Sequence, residues 1–363
     1  MAKQSGLIAS SKFSARDFRD AKREWSERLL FNAQATPISF GAARRAGAHA
    51  AATAARAVPA RRNNNVVGVG IAEKWTDGKP TGVLAVKFFV KSKFPQGGIT
   101  RALMLPKTID GMPVDVEETG TLRAFAKRKA ARATATDGTL PNPRVRMRPA
   151  KAGSSVGFRV PGDQFVMCGT FGAVVRTNTK TFILSNNHVL ADENRMPIGS
   201  PIYQPALMDN GSIATDQIAQ LTRFIKLKAN RFNKIDAAIA EALNSNLLDK
   251  AVLHIGAPNG TAQAALDMMV HKFGRTTSYT LGRIHSIDTD VVVEYETAEF
   301  AFDNQIIIRG SNNTSFSDSG DSGSVILQRG TNTAVGLLFG GSPSHTIANH
   351  IGNVLRSLRV RMA

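Results

Sequence analysis

One cysteine, Cys168, occurs in 363 residues, so no disulfide can close within the chain. Packing and polar contacts must hold the fold alone, which fits a reducing compartment such as the cytoplasm. No apolar run approaches the roughly 20 residues of a membrane span. The first ten residues, Met1 to Ser10, lack the apolar stretch of a secretory signal. Acids are missing from a long part of the front half, with none between Glu27 and Glu73. Aromatics are scarce among the basic runs. Only Phe125 interleaves with those at 123–132 and 144–151, which argues against a stacking site for single-stranded nucleic acid.

What is present is charge of one sign, unevenly spread. The net charge is +18. Residues 1–150 hold 27 Lys/Arg against 11 Asp/Glu, and residues 151–363 hold 19 against 17. A basic front half is thus joined to a nearly neutral back half. It would attract nucleic acid, an anionic surface or an acidic partner; a solvated basic tail would have the same composition. A hydrophobic fraction of 42% and a charged fraction of 20% are those of a soluble globular protein, and the length allows two domains or more.

The pattern divides the chain into four segments. In residues 1–62 a helix is expected over 13–33, capped by Ser14, with Phe18, Trp25, Leu29 and Leu30 on one side. An Ala/Arg-rich stretch, 34–62, follows it. Residues 63–120 form a small α+β domain of about three strands, with Asp77-Gly78 as a hairpin turn. Residues 121–162 read as a basic, mostly exposed linker. From 163 to 363 short strands alternate with turn signals, which predicts an all-β sandwich or a pair of barrels. Ile347 to Val360 sets Ile351, Val354, Leu355 and Leu358 on one face of a closing helix.

Three pieces of the back segment carry chemistry. They are Asn186-Asn187-His188-Val189-Leu190, Lys234-Ile235-Asp236-Ala237-Ala238 and Gly320-Asp321-Ser322-Gly323-Ser324. Acyl transfer at neutral pH needs an oxygen nucleophile, a base and donors for the oxyanion. Ser322 is the candidate nucleophile, His188 the base, and Asp236 the acid that fixes the imidazole tautomer. The N–H groups of Gly320 and Ser322 can converge as an oxyanion hole. Singly, each piece reads as an ordinary turn or element end. Asp236 stands in an apolar run, where an acid is expected only if a buried partner satisfies it. The order His, Asp, Ser is that of one of the three known arrangements of such a triad.

With Gly169-Thr170-Phe171-Gly172 and Ala334 to Gly341 added, residues 155–363 resemble the chymotrypsin-like (trypsin-fold) serine peptidases. Val67–Gly70 and Ile109–Val114 are similar to segments of the bacterial relatives of plant narrow-leaf-type proteases. The resemblance implies two six-stranded antiparallel β-barrels, with His188 and Asp236 from the first and Ser322 from the second. It implies a serine endopeptidase acting on proteins through an acyl-enzyme; the charge split adds the expectation of a basic front half that regulates or recruits. Two alternatives stand beside it: a catalytically silent binding protein on the same fold, and a protease tethered to nucleic acid. The S1 wall would draw on Phe316, Ser317, Phe339, Gly340 and Gly341. Phe316 stands where a preference for Arg or Lys would put an Asp, so a small or apolar P1 residue is expected, with an acidic P1 bound by a histidine as the other option. In the trypsin branch a freshly cut N-terminus pairs with the acid before the serine, here Asp321. No activation site is obvious before Gly169, so no zymogen cut is expected; Arg148 and Lys151 stay open as cut sites. The 121–162 linker could instead lie in the cleft and inhibit. No cofactor is called for. His345 and His350 read as surface histidines, because no Cys or carboxylate completes a metal site with them.

Overall fold

A computed structural model describes residues 12–31, 64–95, 98, 103–124, 140–160 and 166–363. The 34–62 stretch and the run Lys127-Arg128-Lys129, which carry most of the nucleic-acid expectation, lie outside the described residues.

Helix α1 (Ala15–Ser26) starts at a capping box. Asp17 N donates to Ser14 Oγ at 3.3 Å, and Ser14 N donates back to the Asp17 carboxylate at 2.7 Å. The helix buries Phe18 against Val66, Val69, Val86 and Phe88 of strands β1 (Val66–Thr76) and β2 (Lys79–Val90). Asp77 and Gly78 join these strands with φ of 51° and 73°, the left-handed pair that a two-residue hairpin requires. Short β3 (Thr108–Ile109) leads into β4 (Met112–Glu118), which lies parallel to β2. Strand β5 (Arg123–Ala124) comes next.

Next come β6 (Ala150–Ala152), β7 (Ser155–Val156), β8 (Gly169–Thr170), β9 (Ala173–Arg176), β10 (Thr181–Ser185), the single-turn α2 (Asn187–Leu190), β11 (Pro201–Tyr203), β12 (Gln217–Phe224), β13 (Ala238–Ala242) and β14 (Leu248–Val252), and the strands from β7 to β13 build a first ring. The order β11-β12-β13-β10-β9 is antiparallel throughout. Strand β8 runs on into β9 through Phe171-Gly172 and pairs with β7. Just after β7, Gly157 and Tyr203 of β11 exchange hydrogen bonds of 3.2 and 2.9 Å. Six strand positions thereby close on themselves around Val156, Phe158, Ile183, Leu190, Ile202 and Ile218. Strands β6 and β14 form a separate parallel pair.

The second ring holds β15 (Met269–Gly274), β16 (Ser278–Glu294), β17 (Glu299–Gly310), β18 (Val325–Gln328), β19 (Ala334–Gly341) and β20 (Thr346–His350). Its order is β15-β18-β19-β20-β17-β16, and β16 returns to β15. Helix α3 (Ile351–Leu358) and β21 (Arg361–Met362) end the chain, β21 pairing with β9 of the first ring. The fold is mainly β, with two six-stranded antiparallel rings and a terminal helix.

Three expectations change. The closing helix begins at Ile351, because Thr346–His350 pairs with β17 and β19 as a strand. The described parts of 121–162 are not a mostly exposed linker: Leu122, Ala150, Ala152, Val156 and Phe158 are buried. Basic residues dominate its composition, but short strands need only a few apolar side chains to dock. Strands β1, β2 and β4 extend the second ring's sheet outward through the β1–β16 pairing.

Candidate active site

Strand β10 ends at Ser185, and α2 turns the chain so that His188 faces Asp236 in the loop before β13. His188 Nδ1 donates to Asp236 Oδ2 at 2.5 Å. Asp236 Oδ1 accepts from Asn187 N at 2.7 Å and His188 N at 3.3 Å. Its Oδ2 also accepts from Tyr295 OH at 2.7 Å, and its backbone N donates to Asn349 Oδ1 at 3.0 Å. The acid in the apolar run is therefore fully satisfied, as its burial demands. The other ring nitrogen, His188 Nε2, is buried with no hydrogen-bond partner among the described residues.

The Ser322 turn has Gly320 at φ 98° and Gly323 at φ 94°. Thr170 clamps it, with its N donating to Ser322 O at 2.8 Å and its Oγ1 to Gly320 O at 2.9 Å. A Cβ on Gly169 would lie 2.6 Å from Val189 Cγ1 and 3.0 Å from Ser322 O. The turn bearing Ser322 and the helix bearing His188 thus face each other across a residue that has to be glycine. Ser322 Oγ donates to Phe339 O at 3.3 Å. His188, Asp236 and Ser322 are all completely buried.

Asp321 turns away from this centre. Its carboxylate accepts from Thr276 N (2.8 Å), Thr277 Oγ1 (2.6 Å) and Asp318 N (3.0 Å), and pairs with Lys272 Nζ at 3.3 Å. Burial opposes its charge, but Lys272 and these donors outweigh it and hold the carboxyl below the ordinary carboxylate range. An internal lysine thus supplies the cation that faces this buried carboxylate. Lys272→Met would strand a buried carboxylate, and the expected loss is about 3–5 kcal/mol of unfolding free energy in urea.

Of the proposed S1 residues, Phe316 and Phe339 are core side chains. Phe316 packs with Ile284 and Ile308, and Phe339 lies 4.8 Å from Phe302 between ring centres. Ser317 Oγ meets Thr346 Oγ1 at 2.5 Å. Gly340 and Gly341 pair antiparallel with Ala124 and Arg123 of β5. A Cβ on Gly340 would lie 2.6 Å from Arg123 O, so the front segment sits directly on this edge.

His345 is not a surface residue. It is buried and donates through Nε2 to Glu117 Oε1 at 2.8 Å, while His285 Nε2 donates to Glu117 Oε2 at 2.7 Å. The carboxylate that completes this group comes from β4, far away in sequence. The three residues offer ligand atoms within 4.8 Å of one another, beside a cavity of about 1260 Å³. Lys87 Nζ already stands 2.6 Å from Glu117 and 3.4 Å from His285 Nε2, so the chain supplies its own cation there.

Burial pushes His285 below the ordinary histidine value of 6.5, against the pull of Glu117. Burial works against the Glu117 charge too, but hydrogen bonds from His285 and His345 and the Lys87 charge hold its carboxyl far below the usual range. Both groups are depressed in the folded state. Their stabilisation is present above the unfolded values and is lost as pH falls, first for His285 below 6.5 and then for Glu117 below 4.5. Thermal melts should show Tm falling as pH drops below about 6.5. His285→Gln should flatten that fall between pH 7 and 5.

Sequence reasoning missed Tyr295, Asn349 and Lys272. Only Lys272 left a signal, since strand alternation sets it on the same face as buried Val270.

A sequence model described as peptidase family S64 matches residues 174–342, a little under half of the chain. The match spans His188, Asp236 and Ser322 and supports a serine protease. No curated protein matches. Among solved structures the chain is similar to Protease A of Thermobifida fusca, at 16% identity and TM-score 0.41, covering 58% of this chain and 97% of that one. It is similar to the chymotrypsin of Cellulomonas bogoriensis at 18% identity and TM-score 0.38, covering 53% and 90%. A third is a glutamic acid specific serine protease described as using a histidine triad in substrate binding, at 16% identity and TM-score 0.42, covering 59% and 100%. No helix among the described residues is long and apolar enough to cross a membrane.

Proposed function

We propose that this chain is a serine endopeptidase whose front half inhibits it by occupying its own substrate edge. Ser322 Oγ attacks the peptide carbonyl, and His188 Nε2 takes its proton and returns it to the leaving amine. Asp236 holds the imidazole tautomer, and the N–H groups of Gly320 and Ser322 receive the oxyanion. Water then releases the acyl group by the same path. The observation that carries this reading is the His188 Nδ1–Asp236 Oδ2 bond of 2.5 Å, which leaves the other ring nitrogen, Nε2, with no hydrogen-bond partner among the described residues. A buried nitrogen left unsatisfied costs stability, and a catalytic role is one reason for a chain to carry that cost.

The inhibition follows from the β5 contact. A peptide substrate laid as an added strand on Gly340–Gly341 needs the edge that Arg123–Ala124 already fills. The complete burial of all three catalytic groups supports the same closed state. The front segments similar to those of narrow-leaf-type proteases, Val67–Gly70 and Ile109–Val114, fall in β1 and across β3 and β4. The lone buried Cys168 suits a reducing, cytoplasmic setting.

The test is labelling with a fluorophosphonate probe, on the full chain and on a Leu122→Ala variant in which β5 is loosened. Labelling at Ser322, faster in the variant, is expected. A folded protein that stays unlabelled in both forms would remove the enzyme reading.

A further inference from the structure

We propose that Tyr295 is a positioning residue for the triad acid: its hydroxyl, carried across from the second ring, fixes Asp236 Oδ2 beside His188 and sets how strongly that oxygen holds the imidazolium. The proposal deepens the peptidase reading and rests on it for the kinetic consequences, though not for the contact itself.

The two oxygens of Asp236 are held by two pairs of donors. Backbone N–H groups of Asn187 and His188 take Oδ1. His188 Nδ1 and Tyr295 OH share Oδ2, at 2.5 and 2.7 Å. Without the phenol, Oδ2 would keep a single donor in a site closed to water, and rotation of the carboxylate would meet less resistance. The phenol stays a donor at neutral pH. Burial, then the Asp236 charge and hydrogen bond, then Glu193, push its ionisation well above the ordinary tyrosine value of 10.0.

The ring is clamped from several sides. Phe300 meets it edge-on at 5.1 Å, Phe302 stacks at 6.0 Å, and the His188 ring itself lies edge-on at 5.6 Å. Tyr295 opens the turn between β16 and β17, and Glu193, three residues beyond α2, pins that turn. Its carboxylate accepts from Glu296 N and Thr297 N, both at 3.0 Å, and from Thr297 Oγ1. The hairpin tip of one ring is thereby fastened to the segment that carries the base of the other.

Other charged groups near the turn point elsewhere. Arg195 pairs with Asp192 at 2.6 Å and with Glu296 at 3.5 Å, and Glu294 pairs with Lys91 and Arg123. Glu193 acts on the phenol, and the hydrogen bonds to the Asp236 carboxylate come from Asn187, His188 and Tyr295.

A donor on Oδ2 withdraws charge from the oxygen that accepts from Nδ1–H. Removing it makes that oxygen more basic and strengthens its hold on the protonated ring. In Tyr295→Phe the acidic limb of the kcat/KM profile should therefore move to higher pH. kcat should fall roughly tenfold, in keeping with the loss of one hydrogen bond to a charged group. KM should stay put, since the Tyr295 hydroxyl is held by Asp236 and its ring is packed among Phe300 and Phe302. A purely structural role would lower activity without moving the limb.

A readout independent of turnover separates this proposal from the enzyme reading. In a Ser322→Ala background, the hydrogen-bonded Nδ1 proton of His188 should change its NMR chemical shift when Tyr295→Phe is added. A protein that never labels at Ser322 would sink the peptidase, while this shift would still decide the Tyr295 contact. Should Tyr295→Phe fail to fold, 3,5-difluorotyrosine at position 295 keeps the shape with a stronger donor and should move the resonance, and the acidic limb, in the opposite direction. A proton resonance and an acidic limb that stay at the wild-type position in the variant that folds overturn the proposal.

Discussion

Replacing Ser322 by alanine should lower peptide turnover by about 10⁴- to 10⁶-fold, the range seen when one member of a serine triad is removed from other enzymes. The loss is this large because no other oxygen can form the acyl bond. His188→Ala should cost a similar factor, and the double variant should be hardly worse than either, since nucleophile and base act as one unit. The fold should survive. The Ser322 hydroxyl makes one long hydrogen bond, 3.3 Å to Phe339 O, so its removal should change unfolding free energy by about 1 kcal/mol or less. The comparison is a kcat/KM series on a fluorogenic peptide, run in the native chain and in a chain with β5 loosened. Equal turnover by Ser322→Ala and its parent would overturn the assignment.

Loosening β5 is the second large effect. Leu122 is 1% exposed and packs with Phe89, Val291, Val293, Phe302 and Phe339. Beyond that anchor the strand holds on by few contacts: two residues paired with β19, one with β16, and Glu294 N donating to Leu122 O at 2.9 Å. Truncating a buried leucine to alanine costs about 2–5 kcal/mol. Most of that should fall on the docked strand, so Leu122→Ala should raise kcat/KM by tenfold or more. Arg123→Ala should do little, because its 3.1 Å pair with Glu294 is largely exposed. Deleting the whole front half is the wrong experiment, since β1 pairs along β16 and Phe88, Phe89 and Val67 belong to the same buried clusters. A Leu122→Ala chain with wild-type kcat/KM would exclude inhibition by β5.

Local chemistry wrote part of this into the sequence. The glycines around Ser322 announce a turn with two positive φ angles, Ser14 and Asp17 announce a helix start, and Asp77-Gly78 announces a hairpin. Asp236 stood out because an acid among Ile235, Ala237 and Ala238 calls for a buried partner. Each of these signals lies within a few neighbouring residues, where backbone geometry and alternation leave a mark.

The tertiary structure alone decided who meets whom. Tyr295 is 59 positions from Asp236, Asn349 is 113 away, and His345 finds Glu117 across 228. None of those residues has a local pattern that names its partner. The same holds for Leu122-Arg123-Ala124, which read as part of a basic linker and became a strand on Gly340–Gly341. By itself the sequence determined a β-rich chain carrying a His, an Asp and a Ser in a telling order. The packing of one closed ring against another determined that the acid is held from both sides, and that the front segment pairs with Gly340 and Gly341. Pairings between distant strands depend on the register of whole sheets, which short-range residue patterns do not encode.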